Sequence, residues 1–495
     1  MALTSKTLVD FVRSKKWFWH GFVVGCVYFS YIFFWLWGLY PLKNFNVNDS
    51  FAAAIIISIL FVLCVVQSAL FWGLAFYASA KLYSKNKLFS LAIPASVFIV
   101  AEFLRSIFFG LFWAGNNSVI GPDWTFGNIS YLFSDISWVR ATSSLWGIYG
   151  IAFFAVLIGT LIVEYFIKKY KKYLYASIGI FILFIGLGGT QAQLGESAAK
   201  KSDDEPLNIV LIQSNLATTD NQQDIINHTA DIGDLIDSFD YHKNPDSLVI
   251  LPESSRYTET YAHILGSPLL FSIPKVNGLP SYTVIDNSRI TDRDTGQARS
   301  RTLMYDNDDY SAQYKEKILL TPAGEYIPDI LYPLFVYFSN PITREVANKN
   351  QYSPGTDGNI DFRSKTADIL ICSEIISPRM AKGKYDFIIA QVNFGLFHKN
   401  FAGNILRREI QSMSQFRSAE NRKFLALAAN RGNSYIVNPS GKIVQKTEND
   451  GYELLTSLIV TNDERTWYNK VGDWPIFVLA VMIILLGLRF NFKER

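Results

Sequence analysis

Three residues lie at the end of or close to apolar, strand-like runs: Glu253 in Leu251-Pro252-Glu253, Lys317 in the run Lys317 to Glu325, and Cys372 in Ile-Leu-Ile-Cys372-Ser373-Glu374-Ile375. A carboxylate, an amine and a thiol are the parts needed to activate a sulfur nucleophile and to stabilise an acyl intermediate. A thiol with an ordinary pKa of about 8.5 is mostly protonated at neutral pH, so Glu253 is placed to take its proton. Lys317 then offsets charge growing on a carbonyl oxygen. Glu374, two residues past Cys372, shares its face if the local chain is a strand. The chain has three cysteines, and Cys26 and Cys64 sit in long apolar runs. Cys372 is therefore the one thiol of the polar half, and no disulfide framework is available.

The elements that must position these groups alternate. Strands are expected at 208–213, 247–252, 281–285, 302–305, 311–315, 367–371, 387–391 and 434–437, with helices at 221–238 and 403–430. Such alternation implies an α/β layered domain whose site gathers at strand ends. The charges from Arg407 to Lys423 read as the solvated face of the last helix.

Around this domain the chain is apolar. Runs at 17–40, 51–77, 91–113, 145–166 and 173–190, and a shorter one at 474–488, give about six spans for a bilayer that needs about 20 helical residues. This is an integral membrane protein divided into helices over 1–191, a linker over 192–206, a catalytic domain over 207–467 and a final helix and tail over 468–495. Lysine and arginine cluster in the N-terminal tail (Lys6, Arg13, Lys15, Lys16), after the second span (Lys81, Lys85, Lys87), after the fourth (Lys168, Lys169, Lys171, Lys172) and in the C-terminal tail (Arg489, Lys493, Arg495). Basic loops stay cytoplasmic, so both termini are expected inside and the domain outside.

A net charge of +3 argues against nucleic acid as partner. The five histidines are scattered and no metal motif is present, so neither metal nor cofactor is expected. Glu102 and Arg105, one turn apart in the third span, form an internal ion pair or touch a lipid headgroup or the domain. The segment from Tyr326 to Phe338 is too apolar for a solvated loop and too broken by proline to span, and reads as a lid dipping into the outer leaflet. Asn116, Asn117 and Trp124 read as interfacial anchors.

Taken in order, Glu102-Phe-Leu-Arg105, Leu251-Pro252-Glu253, Lys317 to Pro322, Gly324-Glu325, Cys372 to Ile375, Asn393-Phe394-Gly395, Arg417 to Arg422, Asn430 to Ser434 and Gly472 to Pro475 resemble the apolipoprotein N-acyltransferases, membrane-bound members of the carbon-nitrogen hydrolase (nitrilase) superfamily. The resemblance implies a nitrilase-like αββα sandwich beside the membrane helices. It implies catalytic Glu253, Lys317 and Cys372, with Glu325 and Glu374 in support and Ser373, Asn393, Phe394, Tyr326, Glu102 and Arg105 as substrate or lipid contacts. It further implies transfer of an acyl chain from a membrane phospholipid, through a Cys372 thioester, to the α-amine of a diacylglyceryl-cysteine apolipoprotein, by a monomer in the bacterial inner membrane with its domain in the periplasm. The alternatives are a membrane-tethered amidase or hydrolase with the same three groups and an inactive transporter or scaffold. This chain departs from the family's pattern at Leu251, Ala323 and Ser373, and its first span resembles the family's third.

Overall fold

The computed structural model describes residues 16–493 apart from 46, 48, 84–87, 201–204, 219–220, 240–246, 265–282, 292–295, 306–312 and 339–350. Lys6, Arg13, Lys15, Lys85, Lys87 and Arg495, and the expected strand residues 281–282 and 311–312, lie outside the described residues.

Among the described residues, five helices are long and apolar enough to cross a membrane: Trp17–Leu39, Ser50–Leu82, Phe89–Phe112, Ser143–Lys168 and Lys171–Ala198. A shorter apolar helix, Trp474–Phe490, completes the set. Their outward faces carry side chains such as Val27, Phe51, Ile182 and Leu183, all more than half exposed, which suits contact with acyl chains rather than water. The first span is α-helical only to Ile32 and tightens into a 3-10 helix over Phe33–Leu39. The fifth runs to Ala198, past the start of the expected linker, and its Glu196 accepts hydrogen bonds from Asn438 (3.0 Å) and Ser440 (2.7 Å) of the domain. That contact makes a helical strut of what the polar composition suggested was a tether.

The domain holds two six-stranded sheets, of order β12-β1-β2-β3-β4-β5 and β11-β10-β9-β8-β7-β6. The first contains β1 (Leu207–Gln213), β2 (Ser247–Ile250), β3 (Thr283–Thr291), β4 (Ala298–Tyr305), β5 (Gln313–Glu316) and β12 (Glu453–Ile459). The second contains β6 (Ile360–Phe362), β7 (Lys365–Ile371), β8 (Phe387–Asn393), β9 (Leu425–Asn430), β10 (Tyr435–Val437) and β11 (Ile443–Lys446). β1, β2 and β3 run parallel to one another, as do β7, β8 and β9, so the ends of these central strands collect at one edge.

Alternation along the strands builds four layers. Ile209 and Leu211 face Ile369, Ile371, Ile389 and Ala428 across the sandwich. Val210 and Ile212 turn the other way onto Ile232 and Ile236 of the helix Gln222–Ser238. Leu370, Ile388 and Leu427 turn outward onto Leu406, Ile410 and Met413 of the helix Phe401–Asn421, and the same apolar cluster continues into the membrane helices through Phe33, Phe109 and Ile148. Domain and membrane part therefore share one core, and the αββα sandwich is clamped rather than tethered.

Three expectations are corrected. The helix expected over 403–430 ends at Asn421, where Arg422 turns left-handed (φ 54°), and Leu425–Asn430 is a strand. Its Leu-Ala-Leu-Ala-Ala run fits either period, and burial on both faces between β8 and β10 decides for strand. The Arg407 to Lys423 charges are not a solvated face, because Arg417, Glu420 and Lys423 are fully buried. Arg417 Nη2 donates to Glu420 Oε1 at 3.0 Å, which pairs the two charges. Trp124 is buried against Phe109 rather than anchored in the interface.

Candidate active site

Each of the three groups leaves its strand through a constrained turn. After β2, Leu251 N–H donates to Ile285 O at 3.0 Å, and Glu253 precedes a left-handed Ser254 (φ 59°) whose N–H donates to Asn287 Oδ1 at 2.9 Å. Lys317 follows β5, its N–H donating to Ser300 O at 2.9 Å and its carbonyl accepting from Gly355 at 2.9 Å. Cys372 follows β7 in the left-handed region (φ 50°) and opens a 3-10 turn over Cys372–Ile376. Such a conformation costs a non-glycine residue about 1–3 kcal/mol, and here the flanking sheet enforces it.

The side chains converge. Lys317 Nζ donates to Glu253 Oε1 and to Glu325 Oε1, both at 2.9 Å, and Cys372 lies close enough to Glu253 and Lys317 for both charges to act on its thiol. Glu325 is held in turn by Thr321 N–H, which donates to its Oε2 at 2.7 Å. Burial pushes the Glu253 carboxyl up, and the Lys317 charge works against that rise. Burial also pushes the Cys372 thiol up, reinforced by the Glu253 charge, although the residue keeps some exposure at the mouth. For Lys317 burial alone favours the neutral amine, but the Glu253 and Glu325 charges outweigh it and hold the ammonium. The thiol is therefore not a resting thiolate. A base with a raised pKa beside the sulfur suits proton removal during attack.

Glu374 does not line the mouth on a strand. It lies on the 3-10 turn, fully buried, with Oε1 accepting from Ile318 N–H (2.7 Å) and Oε2 from Ile371 N–H (2.9 Å). Its carboxylate joins the residue after Lys317 to the residue before Cys372. The buried Lys315 Nζ lies 3.3 Å from Oε2 and balances the charge. Ser373 donates to Leu319 O and is also buried, so it braces the same turn instead of meeting a lipid.

Tyr326 is buried, its hydroxyl donating to Trp113 O at 2.9 Å, and Asp329 N–H donates to Ala114 O at 2.8 Å. These bonds pin the apolar segment after Glu325 to the end of the third span, leaving Ile330, Tyr332 and Tyr337 exposed. Asn393 accepts from Gly395 N–H (2.7 Å) and Asn430 Nδ2 (2.8 Å), while Phe394 is buried one residue past β8. Glu102 and Arg105 are not at this site. They form a buried bidentate pair (3.0 and 2.9 Å) to which Trp72 Nε1 adds a bond at 2.8 Å. That answers their charge within the helix bundle.

Sequence reading missed the support behind Glu253. Gln391 Nε2 donates to Leu251 O at 2.6 Å, Thr302 donates to Gln391 Oε1 at 2.5 Å, and Asn287 Nδ2 donates to Thr302 Oγ1 at 3.0 Å. The one available signal was a glutamine inside the apolar run Phe387 to Val392.

A model of the apolipoprotein N-acyltransferase N-terminal domain matches residues 2–161. The apolipoprotein N-acyltransferase of Pasteurella multocida is 22% identical over 493 residues, covering 96% of this chain and 87% of its own. That of Haemophilus influenzae is 24% identical, covering 83% and 76%, and that of Prochlorococcus marinus 25%, covering 92% and 86%. Over most of its length the chain is similar to apolipoprotein N-acyltransferases. Among solved structures it is similar to a CN-hydrolase superfamily protein of Xanthomonas campestris (14% identity, 52% of this chain and 91% of that one, TM-score 0.34) and a nitrilase-superfamily member of Saccharomyces cerevisiae (15%, 53% and 92%, TM-score 0.37).

Proposed function

We propose that this chain moves an acyl chain from a membrane phospholipid to the N-terminal amine of a diacylglyceryl-cysteine apolipoprotein, using Glu253, Lys317 and Cys372. As the Cys372 sulfur attacks the ester carbonyl, Glu253 takes the thiol proton and Lys317 faces the oxyanion. The C–O bond then breaks, the proton passes to the departing lysophospholipid oxygen, and a thioester remains. The acceptor amine attacks that thioester, Glu253 removes a proton from nitrogen, and the C–S bond breaks to give an amide and the free thiol. A thioester is energetic enough to acylate an amine, so the second step needs no external energy source.

The observation that carries this reading is the convergence of Lys317 on two carboxylates at 2.9 Å beside the Cys372 thiol, which feels the Glu253 and Lys317 charges. The greasy segment beside Glu325, pinned to the outer end of a span, supports a donor taken from the bilayer. The site is built from one chain, which supports a working monomer. Lys81, Lys168, Lys169, Lys171 and Lys172 lie at the helix ends opposite those that meet the domain, which supports a periplasmic domain and cytoplasmic termini. Purified protein incubated with phospholipid should gain an acyl mass on Cys372 and pass it to a diacylglyceryl-cysteine peptide. Cys372→Ala should do neither. Passage to water alone would show a hydrolase, and no adduct would sink the proposal.

A further inference from the structure

At the strand edge that carries Cys372, two arginines and a lysine meet without an acidic partner in contact. Arg407 Nε donates to Arg431 O at 2.9 Å, Nη1 to Asn404 Oδ1 at 3.3 Å, and its guanidinium lies 5.3 Å from the Phe394 ring centre. Arg431 follows β9 directly, in the left-handed region (φ 56°), with Nη1 donating to Gly395 O at 3.3 Å and a buried Nε that has no partner. Among the described residues no carboxylate comes within ion-pair distance of either guanidinium. Lys399 is near enough for each arginine to push its ammonium down, and Arg431 likewise lowers Arg407 beyond the effect of burial. Among the described residues Asp450 is the one acid whose charge acts on Lys399 and Arg407, and Lys399 Nζ donates to its backbone carbonyl. A partly buried cluster with excess positive charge is costly unless an anion completes it.

Its position says which anion. β7, β8 and β9 are adjacent and parallel, so Arg431 stands two strands from Cys372, about 10 Å at roughly 4.8 Å per strand. The cluster also meets the outer end of the first span. His398 N–H donates to Gly38 O at 2.9 Å, and Gly38 lies so close to Gly403 that a Cβ there would come within 3.1 Å of its nitrogen. Phe34 packs on Phe401, which is 69% exposed. Cations level with a helix end, beside an exposed aromatic, lie where headgroups meet acyl chains.

We propose that Arg407 and Arg431, with Lys399, bind the phosphodiester of the glycerophospholipid acyl donor and so set its ester at Cys372. This rests on the acyl-transfer reading above. It predicts that the protein distinguishes donors by their phosphate, with guanidinium forks holding the phosphate oxygens.

The test compares acyl-Cys372 formation, by intact mass, from phosphatidylglycerol micelles and from a phosphate-free activated ester of the same chain. In the double variant Arg407→Gln, Arg431→Gln the ratio of phospholipid to ester acylation should fall by about tenfold, through the half-saturating concentration of phospholipid. Arg407→Lys with Arg431→Lys should recover part of it. An unchanged ratio overturns the proposal. Excess inorganic phosphate that competes fully with phospholipid also overturns it, by making free phosphate the ligand. Binding of a fluorescent phospholipid to Cys372→Ala protein reads the subsite without chemistry: about tenfold weaker binding when both arginines are replaced supports it, and equal binding overturns it. If the wild type acylates from neither donor, the acyl-transfer reading fails separately and the binding result decides the subsite.

Discussion

Replacing Glu374 by glutamine changes one oxygen to an amide nitrogen and leaves the shape. The carboxylate accepts from Ile318 N–H at 2.7 Å and Ile371 N–H at 2.9 Å, while Lys315 Nζ lies 3.3 Å away, all buried. Glutamine can serve one of those amides; the other then faces an N–H. An orphaned buried donor costs about 1–3 kcal/mol. Lys315 loses its nearest carboxylate, although Asp368 remains in range, and a further cost of about 2 kcal/mol is reasonable against the roughly 3–5 for a fully broken buried pair. The sum, about 4 kcal/mol, corresponds to a melting shift of about 10 °C for a domain of this size. The catalytic effect is separate. Ile318 follows Lys317 and Ile371 precedes Cys372, so releasing either lets amine and sulfur drift apart, and a misplacement of about 1 Å costs about a hundredfold. Thermal-shift measurement and the single-turnover rate of Cys372 acylation read the two losses. A Glu374→Gln protein that melts within about 2 °C of wild type and acylates within about threefold would refute the bridge role.

Other outcomes follow from buried charge. Glu253 must be ionised to act as base, and burial raises its pKa, so acylation should fall with decreasing pH through a limb above the ordinary carboxylate value of about 4.3; a limb at or below that value contradicts the assignment. Glu409 is raised by burial to about 7, and its Oε2 has no partner. A raised acid favours the folded state at low pH and loses that benefit as pH rises from its unfolded value through about 7, so Glu409→Gln should stabilise by about 3 kcal/mol above pH 7 and by little near pH 4, read as melting temperature against pH. A gain at low pH instead would reverse the sign and reject the argument. Arg417→Met leaves Glu420 buried and unpaired and should cost about 3–5 kcal/mol in chemical denaturation, much of it regained in Arg417→Met, Glu420→Leu; a single-variant loss below about 1 kcal/mol would show the pair is not structural.

The sequence by itself determined the membrane frame and a layered α/β domain, and it singled out three candidate groups. Long apolar runs and alternating short ones are one-dimensional consequences of bilayer thickness and strand pleat, so they survive without coordinates. Cys372 and Glu253 stood out because each lies at the end of an apolar, strand-like run, and Lys317 because it opens one. Only the tertiary structure decided what the remaining polar residues do. Glu374 looked like a neighbour of the sulfur by strand parity, but the left-handed Cys372 breaks that parity and sends it inward to two backbone amides. Arg417 and Glu420 looked solvated because charge usually is, and became core because the membrane helices cover the face a free domain would show to water. Leu425–Asn430 carried no period of its own, and its neighbours β8 and β10 made it a strand. In each case at least one deciding partner, Ile318 for Glu374, the membrane helices for Arg417 and Glu420, and β8 for Leu425–Asn430, lies far away in the chain, and long-range contact is the part of the energy that local sequence pattern does not contain.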